Sequence, residues 1–247
     1  MSDVPTGHHR PAPHLLPAPD KIGPVYEALE RAYGPLEWVP SKDPLSELVL
    51  TILSQHTSDI NRDRAFDTMR ERFPTWEDVR DAPTEDLAAA IRAGGLANIK
   101  APRIQQVLRT ITEERGALDI DFLNDAPMEE ARAWLSGLNG VGPKTAACVL
   151  VFACGHPALP VDTHVYRVSQ RLGLIGPRTS AEKAHDELEA MVEPRLRYSF
   201  HIHLIRHGRQ VCKAQGPRCE VCPVSEWCLY YANLRADSAL AEEEMAG

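Results

Sequence analysis

The stretch Leu138–Thr145, which reads Leu-Asn-Gly-Val-Gly-Pro-Lys-Thr, constrains the fold more than any other part of this 247-residue chain. Apolar positions with helical spacing lead into it and continue over residues 146–153, so we expect two helices joined by a tight turn. Gly140 and Gly142 can adopt positive φ at little cost. Pro143 suits the first turn of the second helix, where its missing N–H is not needed.

The backbone of this turn is suited to binding an anion. The N–H groups of a tight turn and a helix start, with the positive end of the helix dipole behind them, can hold a phosphate without contacting a base. Lys144 lies beside them on the first turn of the second helix. The stretch therefore predicts a phosphate-binding hairpin with an amine next to it.

Two other interpretations of this stretch are open on the local sequence. Gly137 and Gly142, followed by Lys144, come within one residue of a P-loop, but Pro143 intrudes and the preceding segment is helical rather than a strand. The plainer alternative is a corner between two helices with a solvated lysine. The rest of the chain has to decide between that corner and the phosphate site.

The charge of the chain is segregated along its length. The net charge is −8, which at first argues against a nucleic-acid partner. Residues 195–218, however, contain no Asp or Glu and six basic residues: Arg195, Arg197, Arg206, Arg209, Lys213 and Arg218. A basic strip of this kind can hold phosphates on an acidic protein. No apolar run reaches 18 residues, so we expect a soluble protein that has no membrane partner and is located in the cytoplasm.

The pattern of apolar residues predicts an all-α fold, because no segment alternates with a period of two. Residues 1–20 carry five prolines and no periodic apolar pattern, so we expect them to be disordered. A first helix is predicted over residues 24–33 and a core helix from Pro44. Asp162 is well placed to cap a helix that runs to Leu172, and capping alone would explain its presence.

Four cysteines near the C-terminus form a separate motif. Cys212, Cys219, Cys222 and Cys228 are separated by six, two and five residues. Two disulfides are disfavoured in a cytoplasmic protein with an ordinary core. A zinc site with four sulfur ligands remains the alternative, although such sites usually present two Cys-x-x-Cys pairs. The spacing favours one [4Fe-4S] cluster held by four thiolates.

Five motifs, taken together and in this order, resemble the endonuclease III group of helix-hairpin-helix DNA glycosylases. The similarity extends over residues 24–232. The motifs are Leu-Ser-Gln-His-Thr-Ser-Asp (53–59), Gly-Leu-Ala-Asn-Ile-Lys-Ala (95–101), the hairpin (138–146), Val-Asp-Thr-His (161–164) and the cysteine spacing.

The resemblance implies an all-α fold of two helical domains with a DNA-binding cleft between them. A six-helix barrel that carries the hairpin would span residues 37–156. The iron–sulfur cluster domain would combine residues 21–36 with 157–232. The resemblance leaves residues 1–20 as a disordered tail and residues 233–247 as an acidic flexible tail.

The resemblance also assigns residues to the chemistry. Family members remove damaged bases, and those with a lysine in the hairpin then cut the strand. Lys144 falls on that lysine and Asp162 on the catalytic aspartate. The DNA contacts implied by the motifs and by the cationic cysteine loop are Gly140, Val141, Gly142, Thr145, Gln55, His56, Leu96, Lys100, His164, Lys213 and Arg218.

This sequence departs from the family at two positions that contact DNA. The family commonly places a glutamine where this chain has His56, although Gln55 directly precedes it. Ala97 stands where a tyrosine often follows the leucine that matches Leu96. These departures put the preferred lesion and opposite base in doubt.

The function expected from the resemblance is that of a bifunctional DNA glycosylase and AP lyase in base excision repair. Its partner would be double-stranded DNA with damaged bases, oxidised pyrimidines above all, or with abasic sites. We expect a monomer associated with the nucleoid of a prokaryote. The alternatives are a mismatch-type glycosylase for thymine, uracil or adenine, and a non-catalytic DNA-binding iron–sulfur protein.

Overall fold

A computed structural model describes residues 12–246 of the chain, with side chains up to residue 240. Every regular element in this range is helical, which confirms the predicted all-α class. The twelve α-helices of the described range are α1 (Ala18–Tyr33), α2 (Pro44–Leu53), α3 (Asp59–Arg72), α4 (Trp76–Asp81), α5 (Thr84–Ala90), α6 (Ala97–Arg115), α7 (Met128–Gly137), α8 (Pro143–Phe152), α9 (Thr163–Leu172), α10 (Ala181–Met191), α11 (Arg197–Gln210) and α12 (Leu229–Ala246).

Side-chain caps fix several helix starts. The Ser58 hydroxyl accepts the backbone N–H of Asn61 at the start of α3, and Ser180 caps α10 in the same way. Asp162 caps α9, as expected. A side-chain oxygen at this position satisfies a backbone N–H that has no partner inside the helix.

The two ends of the described chain are more ordered than the sequence predicts. Residues 1–11 lie outside the described residues, but Pro13–Leu15 forms a 3-10 helix and α1 begins at Ala18. The disorder predicted for residues 12–20 is therefore wrong. The early start of α1 is stabilised by packing, because Lys21 and Ile22 are buried.

The tail that was predicted to be flexible from residue 233 onwards is helical up to Ala246, because α12 continues through it. The segment is rich in Ala, Leu and Glu, and it contains no Gly or Pro before Gly247. These residues lose little rotamer freedom in a helix. Their acidic character marks the tail as polar without preventing its helical structure.

Residues 37–160 form one compact unit of seven helices, α2 to α8. Helix α2 packs against α3, α6 and α8 and is buried on almost every side. Its predicted core positions Leu48, Val49, Ile52 and Leu53 are fully buried. Helix α8, which follows the hairpin, is buried from Thr145 to Val151. The hairpin is thus fixed to the core of this unit.

The described residues up to Leu36 and those from Val161 onwards form the second unit. Helix α11 packs against α1 and α9, and α12 packs against α9. Gly208 of α11 allows the close approach of α9, because a β-carbon there would lie 3.0 Å from Cβ of His164. Within the described residues, no helix combines the length and apolar character needed to span a bilayer.

Candidate functional site

The hairpin joins α7 to α8 through a turn that needs glycine at one position rather than at two. Gly140 has φ of +85°, in the left-handed region, as expected. Gly142 has φ of −89° and ψ of 176°, which is extended backbone open to any residue. The prediction of positive φ at Gly142 is therefore wrong. A β-carbon at Gly142 would meet nothing within 4 Å, so the turn is open to solvent there.

The start of α8 presents backbone N–H groups at this open turn. Gly142 is its N-cap and Pro143 lies in its first turn, and no side chain in the described part of the chain caps this end. The N–H groups of Lys144 and Thr145 then lack helical partners, since the first donors of any helix do. The N–H of Val141 instead donates to the Leu138 carbonyl at 3.0 Å and is not available to an anion.

The side chains around the turn differ in their burial. Val141 and Thr145 are buried, so any DNA contact that they make is through the backbone. Lys144 is half-buried on the first turn of α8, where an amine can reach a group held at the open turn. The start of α8 therefore combines N–H donors, which lie at the positive end of the helix dipole, with the amine of Lys144 beside them.

Arg103 of α6 lies across the hairpin turn. A β-carbon at Gly140 would lie 2.8 Å from both Cδ and Nε of Arg103, so the arginine stem covers the glycine. The Nη1 atom of Arg103 donates to Oε1 of Gln55 at 2.9 Å. This half-buried arginine joins the hairpin to the turn after α2, and no motif in the sequence pointed to it.

Two exposed residues near this surface have strained backbones. His56 has φ of 54° and Leu96 has φ of 49°, both unusual for residues with a β-carbon. The side chain of Leu96 is 48% exposed although it is large and apolar. Strain of this kind often marks functional positions, so it supports the predicted DNA contacts at both residues. Nothing in the local sequence marks a positive φ at either position.

Lys100 does not reach the surface, and the prediction that it contacts DNA is wrong. Its side chain is 1% exposed, and its ammonium donates to the carbonyl oxygens of Leu53 at 2.7 Å and Gly94 at 2.8 Å. Burial lowers the pKa of this lysine. Lys100 ties the end of α2 to the turn before Leu96, so it supports the exposed residues from below.

In the second unit, Asp162 is the N-cap of α9. Its Oδ1 accepts the backbone N–H groups of His164 at 2.8 Å and Val165 at 2.7 Å. Nδ1 of the half-buried His164 lies 3.1 Å from an Nη2 of Arg167 that also donates to Gly208 O. Burial is the main cause that lowers the pKa of His164, although Asp162 opposes it. The carboxylate is thus rigidly oriented by the helix that it begins.

The four predicted metal ligands converge on one space. Cys212, Cys219, Cys222 and Cys228 all line the same cavity. Among the described residues, no three His, Cys, Asp or Glu side chains are grouped so as to hold a metal ion directly. Sulfurs that surround a shared cavity in this way suit a polynuclear cluster better than one zinc ion, whose thiolates lie at about 2.3 Å from the metal.

The thiols need a cation if they are to ionise together. Burial raises the pKa of Cys222 to about 12, and the neighbouring thiols add to the effect. The pKa values of Cys219 and Cys228 are raised by the same causes. Four thiolates in this space are stable only with compensating positive charge, which a bound metal centre supplies. The donor set therefore fits an iron–sulfur cluster.

Nearby donors reach the cysteine sulfurs. Nη1 of Arg171 lies 3.3 Å from the sulfur of Cys212, and the same guanidinium holds the carbonyl of Lys213 at 2.7 Å. Nε2 of His207 lies 3.5 Å from the sulfur of Cys222. Burial lowers the pKa of His207 to about 4, so its ring is neutral. Its role is packing inside this unit.

The basic strip does not act as one surface. Arg195 pairs with Glu193, Arg197 donates to the carbonyls of Val192 and Glu189, and Arg206 donates to the carbonyl of Tyr33. These three arginines are largely committed to their own unit, contrary to the expectation of a continuous phosphate-binding strip. Lys213 and Arg218 remain exposed on a loop closed by a backbone bond from Arg218 N to Val211 O.

Comparison with known proteins places this chain among DNA repair proteins. The family described as HhH-GPD superfamily base excision DNA repair protein matches residues 49–194. Endonuclease III of Thermotoga maritima is 35% identical over 189 residues, which cover 76% of this chain and 84% of that protein. Endonuclease III of Rickettsia conorii is also 35% identical, over 78% of this chain and 88% of its own length.

A solved structure of a non-covalent endonuclease III–DNA complex has a TM-score of 0.76 and 28% identity, and the match covers 88% of this chain and 98% of that chain. A candidate DNA glycosylase of Arabidopsis thaliana is 38% identical over 67% of this chain. This chain spans only 56% of that plant relative. The likeness to the bacterial proteins therefore extends over nearly their whole length, and that to the plant protein over about half.

Proposed function

Because the chain belongs to the HhH-GPD superfamily of base excision DNA repair proteins, we propose that this DNA glycosylase also cleaves the strand from which it removes a base. The observation that carries the proposal is Lys144 on the first turn of α8, beside a turn that is open at Gly142 and a helix start that none of the described side chains caps. The substrate would be double-stranded DNA with a damaged base, and oxidised pyrimidines are the class that we favour.

Binding would begin at the hairpin. The N–H groups of Lys144 and Thr145 would hold one backbone phosphate, assisted by the dipole of α8. Leu96 and His56 project from strained backbones and would enter the space that the target nucleotide leaves. Flipping a nucleotide out of the duplex costs roughly a few kcal/mol, and such contacts would offset that cost.

The chemistry would then take place at C1′ of the flipped nucleotide. Nζ of Lys144, after loss of a proton, would attack C1′, and the base would leave with the electron pair of the glycosidic bond and take up a proton. Opening of the sugar ring would give an imine between C1′ and Nζ. Removal of a proton from C2′ would break the C3′–O bond and release the 3′ phosphate. Water would finally hydrolyse the imine and regenerate the lysine.

Asp162 would act on the same reaction through its charge. Positive charge develops on the sugar as the glycosidic bond breaks, and an oriented carboxylate stabilises it. The two hydrogen bonds that Oδ1 accepts from backbone N–H groups hold the carboxylate in one orientation. Asp162 would thus combine helix capping with electrostatic catalysis.

The four cysteines would hold one [4Fe-4S] cluster, since they line one cavity and the positive charge of a metal centre would stabilise their thiolates there. An iron–sulfur cluster can transfer electrons, or it can hold a loop in one conformation. Arg171 and the backbone bond from Arg218 to Val211 shape the loop that carries Lys213. Lys213 and Arg218 would contact DNA phosphates from that loop.

The experiment that tests the proposal is borohydride trapping on a duplex with an abasic site. We expect a covalent protein–DNA adduct that is lost in Lys144→Gln and retained in Lys183→Gln, which removes an exposed lysine from α10. An adduct that persists unchanged in Lys144→Gln contradicts the assignment. Base release without strand cleavage would indicate a mismatch-type glycosylase, and DNA binding without either reaction a non-catalytic protein.

Two further measurements define substrate and cofactor. Duplexes that each carry one lesion, with each of the four bases opposite, identify the base removed. Iron and acid-labile sulfide should both be present at about four per chain, as expected of one cubane. One zinc per chain without iron would reject the cluster.

A further inference from the structure

We infer that Arg103 is a positioning residue, which holds Gln55 in the orientation that contacts the base opposite the lesion. The inference rests on the proposed function, because it assumes that the hairpin surface faces DNA. It concerns the choice of partner base rather than the reaction at C1′. Neither the resemblance nor the motifs point to Arg103, which lies on the second turn of α6.

The first step is the double attachment of Arg103. Its stem lies over Gly140, where only a residue without a β-carbon leaves room for it. Its Nη1 donates to Gln55 Oε1 at 2.9 Å. The guanidinium is planar, and the aliphatic part of the side chain lies against Gly140. The direction in which the guanidinium donates is therefore fixed. Gln55 is therefore tied to the phosphate-binding turn through one side chain.

The second step concerns the orientation of the Gln55 carboxamide. Arginine has only donors, so the carboxamide must turn its oxygen towards Arg103. The NH2 group of Gln55 then points away from Arg103, and its two N–H donors are available to another partner. The usual ambiguity of an amide orientation does not arise here, because the reversed orientation would place two donors against each other.

The third step places these donors beside the exposed, strained residues. Gln55 directly precedes His56, whose φ is 54°. A β-carbon on Gly95 would lie 4.0 Å from the carbonyl of His56, so the turn that carries Leu96 adjoins this one. The donors of Gln55 thus lie on the surface where the duplex would be opened. Every Watson–Crick edge offers acceptors at different places, so a fixed donor pair distinguishes among them.

The charge of Arg103 is not committed to an acid. The ion pairs found among the described side chains, residues 12–240, do not include it. A lysine at this position would keep the charge but would lose the forked donor that fixes Gln55. Arg103→Lys therefore separates positioning from general attraction to DNA.

The test uses the full chain and four duplexes with a stable tetrahydrofuran abasic analogue opposite A, C, G or T. Fluorescence anisotropy gives Kd for each duplex, and the ratio of the weakest to the tightest Kd measures discrimination. We expect Arg103→Lys to lower this ratio roughly three- to tenfold, the range for one hydrogen bond. The mean affinity should change less than about twofold, since the charge is kept.

Controls separate this inference from the proposed function. Gln55→Ala should lower discrimination equally, and the double variant should be no worse than Gln55→Ala alone, because both residues act through one contact. Arg109→Lys, on the exposed side of the same helix, should leave discrimination unchanged. Thermal unfolding confirms that each variant is folded.

The outcomes that overturn the inference are specific. Undiminished discrimination in Arg103→Lys or in Gln55→Ala overturns it, as does additive loss in the double variant. Equal affinity of the unmodified protein for all four duplexes also overturns it. None of these results affects the borohydride adduct of Lys144. Absence of any DNA binding would instead reject the proposed function itself.

Discussion

Oδ1 of Asp162 accepts the backbone N–H of Val165 at 2.7 Å, so the proposed catalytic carboxylate is also the cap of α9. Asparagine caps a helix as well as aspartate but carries no charge. We expect Asp162→Asn to unfold at the temperature of the unmodified protein and to lose roughly 10²-fold or more in base release. Asp162→Ala should lose the same activity and also about 1 kcal/mol of stability. If Asp162→Asn were as active as the unmodified protein, the only role of Asp162 would be to cap α9.

The two hairpin glycines should respond differently to alanine. Gly140→Ala places a β-carbon at φ of +85° and 2.8 Å from the Arg103 stem, so we expect a loss of about 1–2 kcal/mol or more in urea unfolding. Gly142→Ala meets neither obstacle and should leave stability unchanged. It should nevertheless weaken DNA binding, because its methyl group lies where a phosphate would approach the backbone. Unaltered affinity in Gly142→Ala would argue against a phosphate at this turn.

Lys100 should matter for folding and not for DNA contact. Lys100→Met leaves the carbonyls of Leu53 and Gly94 without their buried donor, so we expect a loss of roughly 2–4 kcal/mol in the free energy of unfolding. DNA affinity per folded molecule should be retained. The exposed Lys183→Met serves as the comparison, and it should change neither quantity. A stable Lys100→Met variant with weak DNA binding would reverse this assignment.

Buried Glu47 gives the stability of the fold a pH dependence. Burial raises the pKa of its carboxyl despite hydrogen bonds from Ser41 and Thr51 and the attraction of Arg62 and Lys42. The folded protein thus favours the neutral acid, and the contribution of Glu47 is fully present below the ordinary pKa and is lost as pH rises through the raised one.

Glu47→Gln has no proton to lose, and its carboxamide keeps an acceptor for one hydroxyl and offers an NH2 donor to the other. In urea unfolding, the unmodified protein should therefore lose stability relative to Glu47→Gln as the pH is raised from about 4 to 8. A constant difference between the two proteins across this range would show that Glu47 does not titrate with a raised pKa.

Removal of the proposed cluster should loosen one segment. Arg171 contacts the Cys212 sulfur and the carbonyls of Lys213 and Ala214, so the loop depends on the sulfurs being held. We expect oxidative loss of iron to expose Lys213 and Arg218 to trypsin, as followed by mass spectrometry. Cleavage within residues 37–160 should not accelerate. Equal protection of this loop with and without iron would contradict a structural role for the metal centre.

Local sequence signals predicted what depends on local backbone geometry. Asp162 caps α9 because a short polar side chain can reach the next N–H groups, and this needs no distant partner. The spacing of the cysteines likewise requires only a short loop. These features were predictable, as was the all-α class.

Tertiary contacts decide the rest. Lys100 resembles a surface cation in sequence, but the carbonyls that bind it come from the end of the distant α2 and from the turn just before α6. Gly142 lies two residues after the left-handed Gly140 and yet is extended, so a glycine is not required there by φ. The positive φ of His56 lies in the turn between α2 and α3, and that of Leu96 lies at the N-cap of α6. Arg103 belongs to no motif because its partners lie on other elements.

The covering of Gly140 by Arg103 makes these two positions interdependent in a genetic sense. A β-carbon at 140 meets two obstacles, the arginine stem and the left-handed backbone. Shortening residue 103 would suppress the first obstacle and leave the second. Arg103→Ala should therefore rescue Gly140→Ala only in part. Chains with a larger residue at 140 are expected to carry a small one at 103 and a reshaped turn.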